Sequence, residues 1–262
     1  MSRELSPTDT AKYAASRRAV GFVEDGMRVG LGTGSTAAFM VRCLGARVRD
    51  EGLKIRGVPT SSRTAALARE VGIEVVSLDD AGWLDLTIDG ADEVDANLTL
   101  IKGGGGAHLQ EKVVASASDH MIVITDAAKQ VATLGAFPLP VEVLGFGLRS
   151  TQKLIAATLA DMDVLGHEIT LRMAGDAPYI TDEGNHILDL HLQRIGDPAR
   201  LSGALNQIAG VVENGLFIDI CDRVIIGHED GRVITRDIKQ GTLEEVRLTI
   251  PETGNLYNDV SD

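Results

Sequence analysis

Short apolar runs recur along the first half of the chain, at residues 28–31, 54–58, 74–77, 84–88 and 120–125. Between them lie longer stretches that read as helices, at 7–24, at 37–44 with Gly45 as its stop, at 63–71 and at 111–116. The first helix has a marked start, with Ser6 as N-cap, Pro7 in the first helical position and Asp9 in the first turn. Alternation of strand and helix predicts a mostly parallel sheet covered by helices. In such a sheet ligands bind beyond the carboxyl ends of the strands. The loop at 32–36, the hydroxyl-rich 60–62, Asp89 and Lys129 all come directly after predicted strands and so fall on that edge.

The texture changes at Phe137-Pro138-Leu139-Pro140, where prolines interrupt regular structure. Beyond them the pattern predicts a strand at 141–144, a helix at 150–159 and a strand at 168–173. A hairpin through 182–185 comes next, leading into 186–192, and then a helix at 198–208. Strands with few long crossovers suggest a small α+β unit. Residues 217–226 read as a strand again, with a turn at 228–231. From about Asp237 the chain is polar and irregular, which predicts a surface arm or a poorly ordered tail. The expected division is a large α/β domain at 1–137 and 212–236, a small α+β domain at 138–211 and a C-terminal extension at 237–262.

One stretch is poor core material. Residues 89–111 carry Asp89, Asp92, Glu93 and Asp95, then Lys102, then four glycines at 103–106, then Glu111. Such charges are not buried cheaply without partners. Consecutive glycines suit backbone that bends sharply or approaches a ligand closely. This pattern marks 89–111 as a candidate active site. The loop Gly32-Thr33-Gly34-Ser35-Thr36, between strand and helix, would present N–H groups and hydroxyls to an anion. It would equally serve as a capped turn. It has neither the dinucleotide glycine pattern nor the Gly-Lys pair of a nucleoside-triphosphate loop. Thr60, Ser61 and Ser62 repeat the theme, with helix capping as the plain alternative. Taken alone, Lys12 reads as a solvated surface lysine, and Lys129 reads equally well as one.

Composition narrows the class. A content of 44% hydrophobic and 3% aromatic residues, with 29 glycines, fits an Ala/Val/Leu/Ile-packed α/β protein. A net charge of −13 argues against nucleic acid as a partner. An anionic substrate would need local positive groups. Cys43 and Cys221 form no metal-binding pattern, and His167, His186 and His191 stand singly, so no metal site is predicted. Neither a signal-peptide apolar region nor an apolar run of membrane-spanning length is present, which leaves a cytoplasmic enzyme with no membrane contact as the simplest class.

Taken in order, the motifs resemble ribose-5-phosphate isomerases of the A type. They are GTGST at 32–36, PTSS at 59–62, DGADE at 89–93, KGGGGA at 102–107 leading to Glu111, DAAKQV at 126–131, LGAFPLPVEV at 134–143 and TDEGNHILD at 181–189. Each is weak alone, but the ordered set spans nearly the whole chain up to the tail. The resemblance implies an aldose–ketose isomerase of the non-oxidative pentose phosphate pathway that interconverts D-ribose 5-phosphate and D-ribulose 5-phosphate. It implies a Rossmann-like, mostly parallel large domain with an inserted ferredoxin-like α+β domain, no cofactor, and a homodimer or homotetramer. It says nothing about the tail.

By the same resemblance, substrate-binding positions are Thr33, Gly34, Ser35, Thr36, Asp89, Gly90, Ala91, Asp92, Lys102, Gly103, Gly104, Gly105 and Lys129, with Lys12 matched less distinctively. Glu111 matches the catalytic base. The chemistry needs such groups. A proton must move between C1 and C2 through an enediolate, and a desolvated carboxylate with a raised pKa suits that task. Asp92 is expected to move the proton between O1 and O2, and Asp89 to position hydroxyls or assist ring opening. Lys102 and the glycine N–H groups are expected to receive the developing negative charge. Two rivals share this scaffold, a non-catalytic sugar-phosphate sensor and a glucosamine-phosphate deaminase or CoA-transferase-like enzyme.

Overall fold

The structure, a computed structural model, describes residues 5–238 and 243–249 of the 262. The chain forms two compact units. The first takes the chain up to Gly90, then Ala117–Ala128, and the chain from Asp222 onward. The second takes Ala91–Ser116 and Lys129–Cys221. These cuts fall elsewhere than the expected domain boundaries, for a physical reason. Ile101, Leu134 and Leu216, which the sequence assigned to the large domain, are buried in the same apolar core as the small unit's Leu139, Val141 and Ile155.

The first unit is built on an eight-stranded sheet. Its order is Leu243–Arg247, Arg232–Asp237, Arg223–Gly227, Met121–Asp126, Leu86–Gly90, Arg28–Leu31, Arg56–Pro59, Glu74–Val75. All neighbours from Arg223–Gly227 onward pair in parallel, and the first two strands add on antiparallel. Leu31, Pro59, Gly90 and Asp126 therefore end on one edge, as expected of a parallel sheet. The helices Pro7–Ala19, Ser35–Glu51 and Ser62–Glu70 cover it, burying Val29, Leu31, Met40, Leu44, Ile88 and Ile124. Cys43 lies in this core, and burial pushes its thiol up to about 12, so it is an inert apolar side chain.

Besides Tyr13, helix Pro7–Ala19 buries only small side chains, Ala11, Ala14, Ala15, Ser16 and Ala19. It comes so close to strand Arg223–Gly227 that a Cβ on Gly227 would lie 1.9 Å from the Ala11 carbonyl oxygen. Small residues on both surfaces allow this close approach of helix and strand.

In the second unit, Leu139–Val143, Leu148–Leu159, Glu168–Leu171, His186–His191, Pro198–Asn206 and Val211–Asn214 succeed one another as β-α-β-β-α-β. The strands form an antiparallel sheet in the order fourth, first, third, second, the ferredoxin-like arrangement. A separate three-stranded sheet joins Leu216–Phe217, Leu100–Ile101 and Glu93–Val94. No described helix is long and apolar enough to cross a membrane.

Several local expectations change. Gly45, read as a helix stop, lies inside Ser35–Glu51, where a Cβ would sit 2.4 Å from the Val71 Cβ. The helix ends instead at the left-handed Gly52. The strand expected at 217–226 is two strands in different units, parted where Asp219 takes φ 56°. The tail, expected to be irregular, contributes the outermost strand Leu243–Arg247, with Val246 and Leu248 packed on the core. Residues 239–242 and 250–262 of the expected extension lie outside the described residues.

Replacing Gly227 by Ala is expected to cost about 1–3 kcal/mol through overpacking against helix Pro7–Ala19. Urea unfolding should show a lower midpoint with an unchanged slope; an unchanged midpoint would contradict the close packing.

Candidate active site

In the first unit, the loop at 32–36 is shaped by Asp89. The Asp89 Oδ1 accepts hydrogen bonds from the Thr33 N–H at 3.0 Å and the Gly90 N–H at 2.7 Å. Gly32 donates to the Ile88 carbonyl at 3.0 Å. A Cβ on Gly32 would lie 2.0 Å from Asp89 Oδ1 and 2.6 Å from its Cα, so only glycine lets the loop pass over this fully buried carboxylate. Thr33 is buried with its hydroxyl in a cluster: Thr60 and Ser61 at 2.8 Å and Thr64 at 3.1 Å. Its hydroxyl therefore braces the loop instead of facing solvent. Ser61 caps helix Ser62–Glu70 by accepting from the Thr64 N–H, which is the plain reading of the 60–62 hydroxyls.

Beyond Thr33, Gly34 takes φ 117° and opens helix Ser35–Glu51, with Ser35 exposed and Thr36 half-buried at its N-terminus. The N-terminus of so long a helix carries partial positive charge and suits an anion. Lys12 is half-buried on helix Pro7–Ala19. Gly90 closes the first unit's strand, and Ala91 begins the second unit.

The second unit brings Asp92, Lys102, the glycine run, Glu111 and Lys129 together. Lys102 Nζ lies 3.2 Å from Glu111 Oε2, with both side chains almost wholly buried, 2% and 4% exposed. Burial disfavours either charge alone, and each is the counter-charge that makes the other tenable. Lys102 comes after strand Leu100–Ile101 and donates its N–H to the Gly215 carbonyl at 2.9 Å. Its ammonium stands 5.4 Å from the centre of the Phe217 ring, and Lys112 approaches the same ring at 5.0 Å. Lys112 is held by Glu213 Oε1 at 2.9 Å and the Asn214 carbonyl at 2.7 Å.

Asp92 is the other focus. Its Oδ2 accepts from the Gly104 N–H at 2.7 Å, and its Oδ1 lies 3.5 Å from Lys129 Nζ. Lys129 is therefore paired with a carboxylate, a partner the sequence did not suggest. Gly103 and Gly106 take φ 104° and 78°, and the Gly106 N–H closes a turn onto the Gly103 carbonyl at 3.0 Å. Only glycine reaches such angles without strain.

Two residues missed in the sequence shape this part. Glu93, counted there only as one more acid, is buried and accepts from the N–H groups of Gly135 at 2.7 Å and Phe137 at 2.6 Å. It thereby anchors the loop that sets the Phe137 ring 6.0 Å from Lys129 Nζ. Phe137, directly before Pro138, was the available signal. His108, fully buried on the first turn of helix His108–Ser116, lies against Gly103, where a Cβ would meet its Nδ1 at 2.8 Å. Burial pushes its pKa down to about 3; the Glu213 carbonyl opposes this, and the charges of Lys112 and Arg172 add to it. The ring is neutral throughout the physiological range. His186 and His191 are bonded within the small sheet, to the Tyr179 carbonyl at 3.3 Å and the Thr170 hydroxyl at 2.9 Å. Among the described residues, no group of three or more His, Cys, Asp or Glu could hold a metal ion.

The chain matches known proteins along most of its length. A family model described as ribose 5-phosphate isomerase A (phosphoriboisomerase A) matches residues 56–231. The chain is 68% identical over 262 residues to a Ruegeria pomeroyi protein named ribose-5-phosphate isomerase A, covering 100% of both. It aligns with the structure of ribose 5-phosphate isomerase A from Methanocaldococcus jannaschii at a TM-score of 0.78 and 38% identity, covering 90% of this chain and 98% of that one. A D-ribose-5-phosphate isomerase solved in complex with phospho-erythronic acid gives 0.79 and 38%, covering 92% and 99%.

An unfolded histidine titrates near 6.5, whereas His108 does so near 3. Between these values the unfolded chain holds a proton that the fold excludes, so stability should fall as pH falls, by at most about 1.4 kcal/mol per pH unit from this group. Urea unfolding between pH 7 and 4 should give a shallower dependence for His108→Gln than for the parent. An identical slope would mean that His108 does not contribute.

Proposed function

The chain belongs to the ribose 5-phosphate isomerase A family, which interconverts D-ribose 5-phosphate and D-ribulose 5-phosphate, and we propose that Glu111 is the base that moves the carbon-bound proton in this reaction. The observation that carries this reading is the buried Lys102–Glu111 pair at 3.2 Å. Glu111 removes the C2 proton, the electrons form the C1–C2 double bond, and O1 takes the negative charge. Delivery of the same proton to C1 completes the carbon transfer. As Glu111 becomes neutral, Lys102 exchanges the carboxylate for the enediolate oxygen as its counter-ion. The negative charge moves while the cation stays fixed, which is what a preorganised site requires.

Asp92 carries the proton from O2 to O1. It is held by the Gly104 N–H and partnered by Lys129, which keep its two oxygens in place. The N–H groups of Gly103 and Gly105 complete the seat for the oxyanion, while Gly104 stands beside the substrate with its own N–H on Asp92. Asp89, with Gly90 and Ala91, positions sugar hydroxyls and assists ring opening. Gly34, Ser35 and Thr36, at a helix N-terminus, bind the phosphate, with Thr33 bracing them from within. Lys12 and Lys129 supply positive charge to the phosphorylated substrate. A homodimeric or homotetrameric assembly is proposed on the family resemblance alone, and a cytoplasmic location because no described helix is long and apolar enough to cross a membrane.

Turnover of D-ribose 5-phosphate in EDTA, with glucosamine 6-phosphate as the control, tests the reading as a whole; no turnover of the pentose phosphate would sink it. Glu111→Gln is expected to lower kcat by about 10²–10⁴-fold with KM little changed, the cost typical of losing a general base. Near-normal turnover in that variant would remove Glu111 from the role. Lys129→Ala is expected mainly to raise KM; a fall in kcat at unchanged KM would instead make Lys129 part of the proton-transfer machinery.

A further inference from the structure

The glycine run at 103–106 poses a physical problem. It has no side chains with which to hold itself, and glycine loses more conformational freedom on ordering than any other residue. Yet its N–H groups must stay aimed at a developing charge. Something outside the run has to fix its peptide planes.

The geometry points to Arg172 as the positioning residue for the glycine run, with Asp189 as the lock that aims it. Neither residue takes part in the proton transfers themselves, and this inference rests on the proposed roles of Asp92, Lys102 and Glu111. Arg172 Nη1 donates to the Gly103 carbonyl at 2.7 Å and to the Gly104 carbonyl at 3.3 Å. On its other edge the guanidinium grips Asp189, Nε to Oδ2 at 2.9 Å and Nη2 to Oδ1 at 2.5 Å. Both side chains are largely buried, 15% and 16% exposed. The backbone of Arg172 is fixed as well, its N–H on the Ile187 carbonyl and its carbonyl receiving the Tyr179 N–H, each at 2.9 Å. Asp189 stands on strand His186–His191, paired in register with Thr170. The clamp is thus mounted on the small antiparallel sheet, a rigid support.

The peptide bond turns this grip into a functional one. A trans peptide is planar, with C=O and N–H opposed, so fixing the carbonyl of Gly103 fixes the N–H of Gly104. That N–H is the one bonded to Asp92 Oδ2 at 2.7 Å. Arg172 therefore acts through one peptide plane on the carboxylate assigned to the oxygen-bound proton, and through the next on the Gly105 N–H. Tyr179 supports the same run: its hydroxyl reaches the Gly105 carbonyl at 3.5 Å, and a Cβ on Gly106 would sit 2.4 Å from that hydroxyl oxygen. A lysine could not replace Arg172, because only a planar fork engages a carboxylate with two nitrogens and a carbonyl with the third. Since Asp189 already balances its charge, Arg172 contributes direction more than field.

The test combines kinetics with amide exchange on the intact protein. Arg172→Ala is expected to lower kcat by about 10²-fold, the effect of a displacement near 1 Å at the reacting groups, with KM changed less than kcat. Arg172→Lys should fall almost as far, and Asp189→Asn part of the way. Added guanidinium should restore part of the Arg172→Ala rate and leave the parent's unchanged. Exchange measured by mass spectrometry should quicken in the peptide covering 103–106 and stay unchanged in helix Leu148–Leu159. If Arg172→Ala does not fold, Arg172→Lys and Asp189→Asn are read by the same criteria. Parent-like kcat in a folded variant overturns the inference, as does full activity in Arg172→Lys. Glu111→Gln assayed alongside separates the two readings. If it turns over normally, the assignment of the base fails; if it is inactive while the Arg172 variants are normal, only the positioning role of Arg172 falls.

Discussion

A buried ion pair, Lys102 to Glu111, is the constraint on which the second unit depends. Removing an ammonium and a carboxylate from water costs several kcal/mol for each ion, and their attraction repays this only in good geometry. The surroundings are built accordingly. Lys102 is tied by its backbone to Gly215, whose lack of a side chain lets the chains meet: a Cβ there would lie 2.3 Å from the Lys102 carbonyl oxygen. The Phe217 ring lies beneath the ammonium. The short strands Leu100–Ile101 and Leu216–Phe217 serve chiefly to bring these groups together. Such an arrangement is costly for stability and suited to chemistry, because the environment that makes the pair expensive also makes its charges count for more.

The two aspartates show one solution used twice. In the first unit Asp89 is seated beneath Gly32, and in the second Asp92 is seated against Gly104, where a Cβ would lie 2.7 Å from Oδ1. In both cases backbone closes directly over a carboxylate and offers it an N–H, from Thr33 to Asp89 and from Gly104 to Asp92. The carboxylates are aimed by main chain, which has few alternative conformations once its own hydrogen bonds are made. Side chains such as Glu93 and Thr33 act one step further out, holding the loops that do the aiming.

Much of this was legible in the sequence because it is local. The parallel sheet showed in the strand–helix alternation, the edge on which its strands end in the loops that leave each strand, and the candidate site in the misfit of charges and glycines at 89–111. The features that escaped notice depend on partners distant in the chain. Glu93 meets Gly135 and Phe137, Asp92 meets Lys129, and Arg172 meets Asp189 and the glycine run; no spacing along the chain encodes these meetings. Gly45 misled because its role is to admit Val71, a tertiary demand that overrides glycine's usual meaning in a helix. The strand expected at 217–226 failed for the opposite reason. Its residues are mostly apolar, but the chain between Phe217 and Arg223 forms no strand, takes a left-handed turn at Asp219 and passes from one unit to the other.

The outermost strand, Leu243–Arg247, has a bearing on how the protein behaves in a crowded solution. An open sheet edge is a template onto which another chain can add, and long apolar edges aggregate. Here the edge is sheathed in charge. Glu244 reaches Arg18 at 2.7 Å, Glu245 lies 3.7 Å from Arg232, and Arg247 reaches Asp230 at 2.7 Å. A strand approaching from outside would have to displace or desolvate these groups before gaining its first backbone hydrogen bond. The segment that looked least structured in the sequence thus ends the described part of this sheet in ion pairs rather than in a bare apolar edge.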